Sequence, residues 1–181
     1  MIITINGTPG SGKTTIAKAI AKKYKLKFYS IGEIRRNIAR FFGLTIDEFN
    51  KIGEKYVFTD SIVDNMIKIC IKDNAVIDGR LAWYFFNKSI KILVLCDKKI
   101  AAKRIFKEVK KNKRKSEKKY KNIKEIMKEI DERIKSDNKR YKKYYGIKNI
   151  FDFKNYDIII DTSHLEKKEM IDIMLKILKL F

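Results

Sequence analysis

Residues Gly7-Thr8-Pro9-Gly10-Ser11-Gly12-Lys13-Thr14-Thr15 follow directly on an apolar run, 1–5, and lead directly into a helical pattern. A glycine-rich turn in that setting restricts the fold more than any other feature of the chain. Gly7 and Gly12 let the backbone curl until its N–H groups converge on a phosphate, and the helix that follows adds the positive end of its dipole. Lys13 then reaches the β- and γ-phosphates of a nucleoside triphosphate, and the Thr14 hydroxyl holds Mg²⁺. Chance brings the four fixed positions together in about one chain of this composition in two hundred, so the turn reads as a phosphate cradle.

The rest of the chain alternates. Apolar or β-branched runs at 2–5, 27–29, 75–77, 90–95 and 157–160 are separated by helical spacing at 13–24, 31–42, 46–54, 61–72, 98–111, 123–145 and 166–179. That pattern specifies an α/β fold with a mostly parallel sheet. Thr45 and Glu48 make a capping box at the start of one helix. The length of 181 residues suits one core and one domain, 1–181, with little room for a second full one. Pro9 is the single proline, so nothing reads as a proline-rich linker.

Lys and Arg number 43 against 22 Asp and Glu, a net charge of +21. Such a surface attracts polyanions, although lysine excess is also a trait of hyperthermophile proteomes, so the sign of the partner follows and its identity does not. His164 is the only histidine, so a histidine-built metal site or a Ser-His-Asp triad would have to be made from almost nothing, and hydrolytic triads are not expected. Cys70 and Cys96 lie in apolar runs and are expected to be buried free thiols in a reducing cytosol. No apolar run approaches the roughly 18 residues of a membrane span. A monomer without membrane partners is expected. The stretch 107–124 is rich in Lys and Arg and poor in apolar residues; together with Arg104 at its start, it is expected to be a mobile basic lid, 104–124, over the triphosphate.

Three further clusters choose the acceptor. Ser30-Ile31-Gly32-Glu33-Ile34-Arg35-Arg36 and Asp78-Gly79-Arg80 follow the second and third strands, at the edge where open α/β sheets bind ligands. Arg133, Asp137 and Arg140 are spaced by four and three on one helix, hence on one face. These arginines compose a cationic ring for an acceptor phosphate. A phosphate acceptor is already ionised and needs no general base, so catalysis rests on positioning and charge stabilisation.

With these residues in view, the chain resembles the cytidylate kinases, especially their short archaeal form. The likeness runs through residues 7–15, 30–36, 45–49, 78–83, 133–141, 144–147 and 156–163. It implies the nucleoside monophosphate kinase type of P-loop NTPase fold, a five-stranded parallel sheet in the order 2-3-1-4-5, with a helical acceptor-binding region at 31–72 and a lid. It implies a kinase using ATP and Mg²⁺ on CMP and dCMP. By the same resemblance Arg36, Arg80 and Arg140 hold acceptor or transferring phosphates, Arg133 and Asp137 lie near the ribose, and Ser30 lies near the base; Asp78 is expected in the acceptor site from its place at the strand end. Where the family often carries an Arg-Gln pair that reads cytosine, this chain has Asp64-Asn65-Met66-Ile67, of which Met66 and Ile67 read as core residues. Two alternatives stay open. One is a kinase for UMP, AMP or a non-nucleotide alcohol, for which Asp78 is the only well-placed base. The other is an ATP-gated RNA-binding protein; against it, the basic stretch carries one aromatic, Tyr120, too few for base stacking.

Overall fold

β1 (Ile2–Gly7), β2 (Lys27–Ser30), β3 (Ala75–Asp78), β4 (Ile90–Leu95) and β5 (Ile158–Asp161) form an all-parallel sheet in the order β2-β3-β1-β4-β5. This is a computed structural model, and it describes residues 1–110 and 120–181. Parallel neighbours need crossover connections, which the helices supply. They are α1 (Lys13–Tyr24), α2 (Ile31–Phe41), α3 (Ile46–Lys55), α4 (Phe58–Cys70), α5 (Ala82–Phe85), α6 (Lys98–Lys110), α7 (Ile123–Tyr145) and α8 (Lys167–Ile177).

Because both faces of the sheet are covered, its strands are apolar on both sides. Ile3, Ile5, Val76, Ile92 and Val94 pack against Ile16 and Ile20 of α1 and Met170 and Met174 of α8. Ala75 and Ile77 point the other way, into Ile38 of α2, Phe49 of α3 and Val63 and Ile67 of α4. A third cluster joins Ala102 and Ile105 of α6 to Ile126 and Ile130 of α7. The helix ends follow their sequence signals. Ser30 caps α2, Thr45 and Glu48 close the capping box of α3, and Asn122 caps α7, which ends at Gly146 in the left-handed region at φ 72°.

Several sequence expectations need correction. The helix expected at 61–72 starts three residues earlier, at Phe58, and ends at Cys70. Its buried side is Thr59, Asp60, Val63 and Ile67; Met66 is 42% exposed and Cys70 is exposed too, since both turn away from that side. Cys96 is buried as expected. The four-residue helix α5 has no counterpart in the sequence pattern because it is too short to show a period. Of the basic stretch 107–124, residues 111–119 lie outside the described residues. Arg104, at the start of that stretch, is engaged within the fold. Its guanidinium donates to the carbonyls of Thr162 and Leu165, at 2.7 and 3.0 Å, and so braces the turn after β5.

Candidate active site

The phosphate loop spans the end of β1 and the start of α1, and the fold holds it from both sides. Asn6 Oδ1 accepts the Gly7 N–H at 2.7 Å, while Asn6 Nδ2 donates to the Ile150 carbonyl and the Tyr156 hydroxyl. On the other side the Thr162 hydroxyl donates to the Ser11 carbonyl at 2.8 Å. Two glycines earn their place differently from one another. Gly12 sits at φ 87°, where other residues are strained. Gly7 has an ordinary φ, but a Cβ there would stand 2.3 Å from the Val94 carbonyl oxygen. Thr8 Oγ1 and Ser11 Oγ are buried without a hydrogen-bond partner among the described residues, which suits a loop built to wrap phosphate oxygens.

Asp78, at the C-terminal end of β3, faces this loop. Its Oδ2 accepts from the Thr14 hydroxyl at 2.5 Å, and its Oδ1 lies 3.4 Å from Lys13 Nζ. Burial lowers the pKa of Lys13, with Asp78 opposing the shift and the Arg133 and Arg80 guanidiniums adding to it. Thr14 and Asp78 together offer the hard oxygen donors that Mg²⁺ prefers.

The expected arginines stand beside this pair at different depths. Arg80 forms an ion pair with Asp137 of α7, and the Trp83 indole donates to the Arg80 carbonyl at 3.0 Å, anchoring its backbone. Burial, then the neighbouring Arg133, pulls the Arg80 pKa down to about 9, which still leaves it charged at neutral pH. Arg140 is 1% exposed and is held by Asp137 and by Asp60. Arg133, on the same helix, is exposed and borders a recess beside Pro9, Tyr120 and Glu129. Arg36 is half-buried on α2, and the Ser30 hydroxyl accepts the Glu33 N–H as the cap of α2. The structure therefore joins Lys13, Thr14 and Asp78 in one cluster and Arg80, Asp137 and Arg140 in a second, with Arg80 near enough for its charge to act on Lys13.

Asp60 joins the second cluster without having been singled out in the sequence, and with it comes Arg35 from the cluster after the second strand. Asp60 lies between Arg35, at 3.2 Å, and Arg140. The available signal was a carboxylate on a helix face otherwise apolar at three- and four-residue spacing, Asp60, Val63 and Ile67. Further along α4, burial raises the Asp64 carboxyl to about 6, against the hydroxyl of Tyr145, which donates to it. The folded chain thus binds this proton more tightly than the unfolded one. The stability Asp64 contributes is present below its unfolded pKa and is lost as pH rises through about 6. Asp64→Asn is expected to remove this part of the slope of unfolding free energy between about pH 4 and 7, read by urea unfolding at several pH values.

Comparison with known proteins follows the same lines. Residues 2–164 match the family model described as the cytidylate kinase-like family. The cytidylate kinase of Archaeoglobus fulgidus is 32% identical, over 97% of this chain and 93% of its own. That of Methanocaldococcus jannaschii is 36% identical, over 96% and 95%. Among solved structures, shikimate kinase from Bacteroides thetaiotaomicron superposes with a TM-score of 0.61 at 18% identity, covering 99% of this chain and 96% of that one, a likeness of fold. No helix among the described residues is long and apolar enough to cross a membrane.

Proposed function

The chain belongs to the cytidylate kinase-like family, and from that premise we propose that it transfers the γ-phosphoryl group of Mg·ATP to CMP, and to dCMP, forming the diphosphate. Nucleoside monophosphate kinase activity is the family's own; the base, the sugar and the metal are the proposal. The observation that carries it is the place of Asp78. This carboxylate touches Lys13 and Thr14 of the donor loop, and two residues on, Arg80 pairs with α7. Donor and acceptor chemistry thus meet at the end of one strand.

Both oxygens of Asp78 are engaged, one with Thr14 and one with Lys13, which disfavours its use as a general base for an alcohol. A phosphate acceptor needs no base. Lys13, Arg80, Arg133 and Arg140 outnumber the carboxylates among them, so the site is suited to the charge of two phosphate-bearing substrates. In this reading Thr14, supported by Asp78, holds Mg²⁺, whose bound charge offsets that of the transferring phosphate oxygens. Arg80 and Arg140 orient the acceptor phosphate for in-line attack, Arg36 adds a contact from α2, and Arg133 and Asp137 approach the ribose. The region 31–72 forms the acceptor side, with Ser30 near the base, and the chain acts as one domain and a monomer.

A coupled assay of ADP formation with CMP, dCMP, UMP, AMP and GMP tests this reading. CMP is expected to give the highest kcat/KM, with UMP a measurable second. Asn65 and Met66 are exposed on α4 where the family's arginine would stand, so one charged hydrogen bond to the base is missing. Such a bond is worth about 1.5–3 kcal/mol, one to two powers of ten in discrimination. A preference for CMP over UMP above about a thousandfold would mean that other residues read the base, and a preference for AMP would overturn the cytidylate assignment.

A further inference from the structure

Four helices meet at the Asp60 carboxylate. Arg35 reaches it from α2 and Arg140 from α7, and Asp60 itself sits in the first turn of α4. Gly53 of α3 closes the fourth side so tightly that a Cβ would stand 2.5 Å from Thr59 Oγ1 and 3.1 Å from Arg35 Nη2. Asp60 is 3% exposed and Arg140 1%. Arg35 is fixed in turn by Asn50 Oδ1, at 2.8 Å, and lies over the Phe49 ring.

An ion pair this deep loses much of its attraction to the desolvation of both partners, and apolar side chains of similar volume would stabilise the same junction at least as well. What apolar packing does not supply is direction. Arg140 presents one terminal nitrogen to Asp60 and the other to Asp137, and Asp137 pairs with Arg80. The planar fork of a guanidinium clamped at both terminal nitrogens has one orientation left. Asp60 thereby fixes Arg140, Arg140 fixes Asp137, and Asp137 fixes Arg80, which stands next to the donor lysine.

We propose that Asp60 is a positioning residue of the phosphoryl transfer: it touches no reacting atom and, through Arg140 and Asp137, aims the cations that receive the acceptor phosphate. The proposal rests on the acceptor role given above to Arg80 and Arg140, and it does not depend on which base the acceptor carries. It also makes the helices α2 to α4 part of the site through one buried carboxylate.

Asp60→Asn and Asp60→Glu test it, assayed with whichever monophosphate the wild-type protein takes, so that a wrong base assignment appears in the wild type and leaves the Asp60 comparison intact. The first variant removes the charge at constant shape; the second keeps the charge and moves it by one methylene. Acceptor kcat/KM is expected to fall about a hundredfold in Asp60→Asn and about tenfold in Asp60→Glu, while the KM for ATP stays within about threefold of wild type. Circular dichroism and thermal melting establish which variants are folded. A folded variant with wild-type acceptor kcat/KM would overturn the proposal, and so would a rise in the KM for ATP as large as that in the KM for the acceptor. If neither variant folds, Asp60 serves stability alone and the proposal falls.

Discussion

Lys13→Ala is expected to lower kcat at saturating nucleotides by about a thousandfold, the scale of losses when a cation on a transferring phosphate is removed. The fold is expected to survive. Lys13 keeps 24% of its side chain exposed, and its pair with Asp78 is long, at 3.4 Å, so little packing is lost. Asp78 retains the Thr14 hydroxyl and the favourable field of Arg80. The melting temperature should therefore drop by only a few degrees, consistent with a partly exposed ion pair worth about 1 kcal/mol or less. Turnover within about tenfold of wild type would remove Lys13 from the transfer step.

Arg140→Ala is expected to fail in the opposite way, through stability. Truncation leaves Asp60 and Asp137 buried, with Asp60 relying on Arg35 and Asp137 on Arg80. Breaking a buried pair on one side costs about 3–5 kcal/mol, a large share of the roughly 5–15 kcal/mol that holds a domain folded. Urea unfolding should show it directly. Arg80→Ala contrasts with this, since Arg80 pairs with Asp137 alone, which keeps Arg140, whereas Arg140 serves two buried carboxylates. There the expected result is a folded enzyme whose kcat is down about a hundredfold. If Arg80→Ala raises KM alone, the residue binds the acceptor equally in ground and transition states. A loss of stability below about 1 kcal/mol in Arg140→Ala would mean that water reaches the two carboxylates once the guanidinium is gone.

The layers of this protein were legible in the sequence to different depths. The five strands and the longer helices over both faces follow from local periodicity, and the phosphate loop follows from glycine, lysine and hydroxyl positions, because each depends on residues close together in the chain. Asp78 and Arg80 were readable as candidate site residues because strand ends in a parallel sheet share one edge. Depth was not readable. The spacing of Arg133, Asp137 and Arg140 puts them on one side of α7, but only the closing of α2, α3 and α4 over the last of them makes Arg140 buried while Arg133 is exposed. Asp60 was hidden for a local reason, standing just before the point where the helix was expected to begin, where a carboxylate reads as a cap. Asn6 and Thr162 gave no signal, since a polar residue at the end of an apolar run looks like the edge of a strand. Their role appears only once β1 and β5 lie on either side of the loop.

The order of the strands carries a consequence for the newly made chain. β1 is synthesised first yet pairs only with β3 and β4, and the loop at its end is tied by Thr162, which follows β5. Until those later segments leave the ribosome, the first strand has no partner on either edge, and such edges invite association with other chains. The tie that holds the nucleotide cradle is complete only once β5 is in place. Nucleotide thus shifts the balance toward the finished molecule by mass action and lends nothing to a chain whose last strand has yet to appear.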